Sequence, residues 1–109
     1  MIEVISEDRC IRCDICVRIC PANVFAKDDQ GLPVIVRQDD CQTCYLCEIY
    51  CPTDALFVAH AADGPIGVTA DWVEERGLWG AYARGLGWSK GRAGGADQDT
   101  TFHLRVAQV

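Results

Sequence analysis

All eight cysteines of this 109-residue chain fall in two short runs that share one spacing. The first run has cysteines at positions 10, 13, 16 and 20, followed by Pro21. The second has them at positions 41, 44, 47 and 51, followed by Pro52. Each run reads C-x2-C-x2-C-x3-C-P, and every position of the first has its counterpart at one constant interval, so that Cys41 corresponds to Cys10. This doubled pattern constrains the fold most, because it decides where eight sulfur ligands can meet.

The spacing within each run suits three thiolates arranged around one small cluster. Cysteines three residues apart are joined by at most about 10 Å of extended chain, so a bent loop can present all three to one side. The fourth cysteine follows the third by four residues, about one helical turn. A short helix that starts at the third cysteine would carry the fourth away from the cluster its neighbours hold. The proline would then end that helix, since it lacks an N–H and disfavours helical backbone before it.

Residues 1 to about 60 resemble a bacterial-type ferredoxin with two [4Fe-4S] clusters, and the two cysteine runs carry the resemblance. In such proteins the fourth cysteine of each run ligates the other cluster. The resemblance therefore implies two ligand sets that each draw on both runs: Cys10, Cys13, Cys16 and Cys51 for one cluster, and Cys41, Cys44, Cys47 and Cys20 for the other. It covers a little over half of the chain and implies electron transfer.

Two other uses of the cysteines explain the pattern less well. Zinc also binds four-cysteine sites with C-x2-C spacing, but zinc ribbons and fingers do not usually run three such cysteines together and add a fourth before proline. Four disulfides would require an oxidising compartment, and the first residues show no secretory signal pattern. The sequence therefore favours iron–sulfur clusters and predicts a cytoplasmic location.

Charge and length limit the partners and the way the fold is held together. The formal net charge is −6, so binding to nucleic acid or to anionic lipid through charge is not expected. No uncharged apolar run reaches the length of a membrane helix. The cysteine-containing half is too short to rely on a hydrophobic core, so we expect cluster binding to supply part of its folding energy.

The cysteine-containing half, positions 1–60, predicts an α+β fold, a ferredoxin-like pseudo-twofold repeat around the two clusters. Strands are predicted over residues 2–5, 24–26, 33–36 and 55–59, with the last able to pair with the first. Each half of this repeat then reads strand, cysteine loop, short helix and strand. Asp14 and Tyr45 stand where common ferredoxins often have glycine, so the loop backbone is expected to differ there. Tyr45 and Tyr50 are interpreted as packing beside a cluster rather than as electron relays.

Residues 61–109 predict a C-terminal aromatic-rich docking arm. Asp71 as N-cap with Glu74 predicts a helix over 71–76 that ends at Gly77, and a second brief helix is predicted around 78–84. Alternating apolar residues predict a terminal strand over 101–106. The arm either folds back over the ferredoxin domain or anchors the chain to a larger partner. We favour a partner contact that uses Trp72, Trp79, Tyr82, Trp88 and the 101–106 strand.

The sequence offers no substrate site of its own. It contains no nucleophile and base pair, phosphate-binding loop or dinucleotide fingerprint, and His60 and His103 are interpreted as exposed or packing residues. The favoured function is electron transfer as the iron–sulfur subunit of a multi-subunit oxidoreductase. The layout is similar to iron–sulfur subunits of the adenylylsulfate-reductase and fumarate-reductase kind, which implies a flavoprotein partner. A free diffusible low-potential ferredoxin is the alternative, and a redox-sensing or structural iron–sulfur module is a third.

Overall fold

The computed structural model describes residues 1–87; Trp88, His103 and the predicted 101–106 strand lie outside the described residues. No helix within residues 1–87 is long and apolar enough to cross a membrane. The elements follow one another as β1 (Ile2–Ile5), α1 (Ile15–Ile19), β2 (Phe25–Lys27), β3 (Pro33–Ile35), a 3-10 turn (Gln38–Asp40), α2 (Leu46–Tyr50), β4 (Leu56–Val58), α3 (Ala70–Arg76) and α4 (Ala81–Gly85). This mixture of short helices and strands is consistent with an α+β ferredoxin-like fold.

The four strands form two antiparallel pairs. In one pair β1 lies beside β4, with Ile2 opposite Val58 and Ile5 opposite Leu56. In the other, β2 and β3 form a hairpin in which Phe25 lies opposite Ile35. All four strands fall within a residue or two of their predicted positions, and the predicted pairing of the first strand with the last is confirmed.

The local structure recurs at the same interval that separates Cys10 from Cys41. The element starts related by this interval are Ile15 and Leu46 for α1 and α2, Phe25 and Leu56 for β2 and β4, and Ile2 and Pro33 for β1 and β3. The non-glycine residues with positive φ follow it too, in the pairs Arg12 and Thr43, Asp14 and Tyr45, and Asn23 and Asp54. Left-handed backbone is costly for residues other than glycine, so its recurrence at equivalent positions indicates that the two cysteine loops share one backbone conformation.

Two hydrophobic clusters lie on opposite faces of β4. Leu56 and Val58 join Ile2, Val24 and Phe25 in the cluster between the two cysteine runs. Phe57 points the other way and joins Ala59, Val73 and Trp79. Successive side chains of a strand alternate between its faces, so the apolar sequence Leu56–Val58 can serve both clusters. Side chains from residues 72–79 of the predicted arm thus pack against β4, the strand that follows the second cysteine run.

The helices of the arm differ in detail from their prediction. Thr69, and not Asp71, caps α3: its backbone is extended and its hydroxyl accepts the N–H of Trp72 at 3.2 Å. The Asp71 prediction was wrong because the helix begins one residue before it, at Ala70. Gly77 ends α3 with a φ of 62°, as predicted. Helix α4 begins at Ala81 instead of near residue 78, since Gly80 turns the chain with a φ of 65°.

Truncating Trp79 should loosen the arm. Trp79 is 2% exposed, and its indole nitrogen donates to Glu74 Oε2 at 2.7 Å. We expect Trp79→Ala to lower the free energy of unfolding by about 3–5 kcal/mol, the usual cost of removing a buried tryptophan. Anaerobic denaturant titration followed by circular dichroism would measure it. Ile66→Ala is the control, because Ile66 is 51% exposed, and equal effects of the two changes would contradict this packing.

Candidate metal centres

The eight cysteines line two separate cavities. Cavity 1 contains about 350 Å³ of space between atoms and cavity 2 about 340 Å³, part of it open to solvent in each. The first is lined by Cys10, Cys13, Cys16 and Cys51, and the second by Cys20, Cys41, Cys44 and Cys47. Each combines three cysteines of one run with the last cysteine of the other, which is the sorting that the sequence resemblance implies. That each set ligates a cluster stays a prediction.

Short helices direct the fourth cysteine of each run across the molecule. Helices α1 and α2 each begin one residue before the third cysteine, so Cys16 and Cys47 lie in their first turns. The fourth cysteines, Cys20 and Cys51, follow the helices with extended backbone, at ψ values of 116° and 119°. The chain therefore leaves each helix at its last cysteine, and that sulfur lines the opposite cavity.

Left-handed residues fold the loops between the first three cysteines. Asp14 and Tyr45 precede the two helices with φ values of 66° and 63°. This conformation explains why glycine is suited to these positions, since it has no Cβ to clash there. Asp14 and Tyr45 adopt the left-handed conformation although they carry a Cβ, at a cost of about 1–2 kcal/mol each. That the loop backbone differs from that of common ferredoxins stays a prediction.

Backbone N–H groups point at several of the cysteine sulfurs. Around cavity 1, the N–H of Arg12 donates to Cys10 Sγ at 3.4 Å and that of Ala55 donates to Cys51 Sγ at 3.3 Å. Around cavity 2, the equivalent donors are Thr43 to Cys41 at 3.4 Å and Val24 to Cys20 at 3.5 Å. Ile2 adds a third donor there, also to Cys41, at 3.4 Å. Such bonds stabilise thiolate charge and are one means by which a protein sets the potential of a cluster.

The sulfur chemistry fits an iron–sulfur cluster. None of the eight cysteines forms a disulfide in the structure of residues 1–87. Each cavity offers four sulfur ligands, the number that a [4Fe-4S] cluster takes. Among the described residues, no three His, Cys, Asp or Glu side chains form a site for a single metal ion.

Burial controls the protonation of the innermost thiols. Burial raises the pKa of Cys16 to about 11, with repulsion from Cys51, Cys10 and Cys13 adding to it. Burial likewise raises the pKa of Cys47 well above its ordinary value. Both thiols are therefore weaker acids than an ordinary cysteine, and binding iron as thiolates would require them to lose that proton.

One comparison with known proteins recognises this part of the chain. Residues 9–56 match the family described as the 4Fe-4S dicluster domain. The match contains all eight cysteines and fewer than half of the 109 residues, and it ends before the arm. It supports a 4Fe-4S ferredoxin-type protein with an iron–sulfur electron-transfer role. No curated protein and no solved structure matched in the other two comparisons.

The predicted aromatic contacts divide into buried and exposed residues. Trp79 is buried against β4, whereas Trp72 is half-buried beside Phe57 with the Arg76 guanidinium 4.3 Å from its ring centre. Tyr82 is 41% exposed and stacks on Tyr45. His60 is exposed.

Sequence reasoning missed one residue beside the site, Glu48. This carboxylate is 1% exposed and accepts the N–H of Val58 at 2.9 Å and the N–H of Tyr82 at 2.7 Å. Burial raises the pKa of Glu48, and the backbone N–H groups of Val58, Tyr82 and Ala83 and the charge of Arg84 oppose that shift. No local signal could reveal this role, because its partners are 10 and 34 residues away in the chain.

Replacing the last cysteine of one run should disturb the cluster that the other run holds. In Cys51→Ser, we expect proton NMR of the loaded protein to show altered β-proton resonances for Cys10, Cys13 and Cys16, because they share cavity 1 with Cys51. The resonances of the cavity 2 cysteines should change little. The matched variant Cys20→Ser should give the reverse pattern, and a change confined to each variant's own run would contradict the crossed arrangement.

Proposed function

We propose that this chain transfers electrons through two [4Fe-4S] clusters, one held in each cavity. The observation that carries the proposal is the sorting of eight cysteines into two sets of four, each drawn from both runs. Such a cluster, when bound, accepts and releases one electron. The polypeptide holds the thiolates, directs N–H groups at the sulfurs and excludes water with apolar side chains. Two clusters that share both runs would form a short path for electrons across the domain.

A pseudo-twofold relation between the two halves is part of this proposal. It is supported by the regular recurrence of helices, strands and left-handed residues, and by the equivalent N–H donors at positions 12 and 43 and at positions 24 and 55. In such an arrangement the two clusters would lie at opposite ends of the domain, in similar surroundings. One end would receive an electron and the other would pass it on.

The finer proposal is that the chain serves as the iron–sulfur subunit of a multi-subunit oxidoreductase with a flavoprotein partner. Support comes from the arm, which extends the chain beyond the two cavities and carries exposed apolar residues. Tyr82, Leu86 and Ile66 are 41%, 44% and 51% exposed. Apolar and aromatic side chains of this kind are typical contacts of protein interfaces. Trp79 would contribute indirectly, by holding the arm on β4.

A free diffusible ferredoxin is the second candidate, and one observation favours it. Val73 and Trp79 bury their side chains against Phe57 and Ala59 of the same chain. The arm thus finds apolar partners without a second protein. A carrier of this kind would use the arm as part of its own fold, and it would exchange electrons with several acceptors.

Anaerobic purification with a tag at the N-terminus separates the two candidates. A subunit should co-purify in fixed ratio with a protein that shows flavin absorbance. Leu86→Asp should weaken that complex at least about tenfold, or 1.4 kcal/mol, because it places a charge among interface contacts. Val34→Asp is the matched control, since Val34 is 40% exposed on β3. A brown monomer that keeps both clusters and brings no flavoprotein would overturn the subunit proposal and support the carrier.

A further inference from the structure

One of the differences between the two cavities lies at a pair of equivalent positions before the helices. Asp14 lines cavity 1 and Tyr45 lines cavity 2, each with a left-handed backbone before its helix. The Asp14 carboxylate pairs with Lys27 Nζ at 3.1 Å, and both side chains are partly exposed to solvent. The Tyr45 ring instead stacks on Tyr82, with ring centroids 3.8 Å apart and planes inclined by 15°. A partly exposed ion pair thus borders one cavity, whereas an aromatic stack borders the other.

The arm fixes Tyr82 in this position through the backbone of α4 and the turn before it. The N–H of Tyr82 donates to Glu48 Oε1 at 2.7 Å, while Glu48 Oε2 accepts the N–H of Val58 at 2.9 Å. The N–H of Gly80 donates to Leu56 O at 3.1 Å. A side chain at position 80 would collide with the Asp54 carboxyl group, and Gly80 has a φ of 65°. The contact between α4 and the dicluster domain is therefore close and specific.

Access of water to a cluster influences its reduction potential. The cluster and its four thiolates already carry negative charge, and reduction adds one more. Removing water from the surroundings disfavours the more highly charged form, so a drier cluster is harder to reduce. The second ring of the stack covers Tyr45, which is itself a wall of cavity 2.

We propose that Tyr82 is a positioning residue that lowers the reduction potential of the cavity 2 cluster relative to the cavity 1 cluster. The inference rests on the proposed function, since it requires both clusters. Through Tyr82, the arm tunes one cluster of its own chain and leaves the other unchanged. The two clusters then have separate potentials, although each cavity has four cysteines and a pair of equivalent N–H donors. Because of this difference, a single added electron would reside mainly on the cavity 1 cluster.

The test compares three variants of the full chain after cluster loading: Tyr82→Ala, Tyr82→Phe and Leu86→Ala. Midpoint potentials are measured during redox titration from the shifted β-proton resonances of the cysteines, which report each cluster separately. We expect Tyr82→Ala to raise the potential of the cavity 2 cluster alone, because water reaches Tyr45. Tyr82→Phe keeps the ring and should behave as the unaltered chain. Leu86→Ala removes a similarly exposed apolar side chain nearby and should also leave both potentials unchanged.

Gly80→Ala provides a second route to the same result, because the added methyl group collides with the Asp54 side chain and strains the left-handed backbone that leads into α4. It should shift the cavity 2 potential in the same direction, and both Gly80→Ala and Tyr82→Ala should speed iron loss from cavity 2 in air. Equal shifts of both clusters, or no shift in a fully loaded Tyr82→Ala protein, would overturn the inference. An unaltered chain that binds fewer than about eight irons would instead overturn the proposed function itself.

Discussion

The structure depends on the exchange of one cysteine between the two runs. Cys20 and Cys51 leave their helices with extended backbone and line the cavity of the opposite run. Neither half can therefore complete its own set of four sulfurs, and the two halves must fold together. The hydrophobic cluster between them is small, which is the usual condition in which metal binding contributes directly to folding. Ligand geometry and core packing are satisfied by the same arrangement.

Strand β4 connects this centre to the arm. Its three residues are all buried, with Leu56 and Val58 on the side of the cysteines and Phe57 on the side of Val73 and Trp79. Glu48 reinforces the connection from α2, because its two carboxylate oxygens accept N–H groups from β4 and from α4. A buried carboxylate is costly unless its hydrogen-bonding capacity is used, and here both oxygens are occupied. The arm is thus joined to the cysteine centre through β4 and α2.

Local sequence patterns predicted the parts of the fold that are decided locally. They placed the four strands to within a residue or two and the end of α3 at Gly77. The division of the sulfurs into two sets came from the resemblance to two-cluster ferredoxins. The cap at Thr69 was missed because Asp71 offered an equally good local pattern two residues later. The Tyr45 and Tyr82 stack and the Glu48 contact with Tyr82 join residues far apart in the chain, and their geometry depends on how α4 lies against α2. Such contacts follow from tertiary packing and leave no periodic trace in the sequence.

The contacts of β4 and Glu48 have a consequence for where this chain can be divided. A cut after residue 60 would keep every cysteine, yet it would leave Phe57 without Val73 and Trp79 and would expose an apolar face of β4. It would also leave Glu48 Oε1 without the N–H of Tyr82, in a region built to exclude water. A shortened protein that keeps all eight cysteines of this sequence would therefore need a polar residue at position 57 and a smaller, uncharged one at position 48. The arm is in this sense a physical part of the domain that it follows.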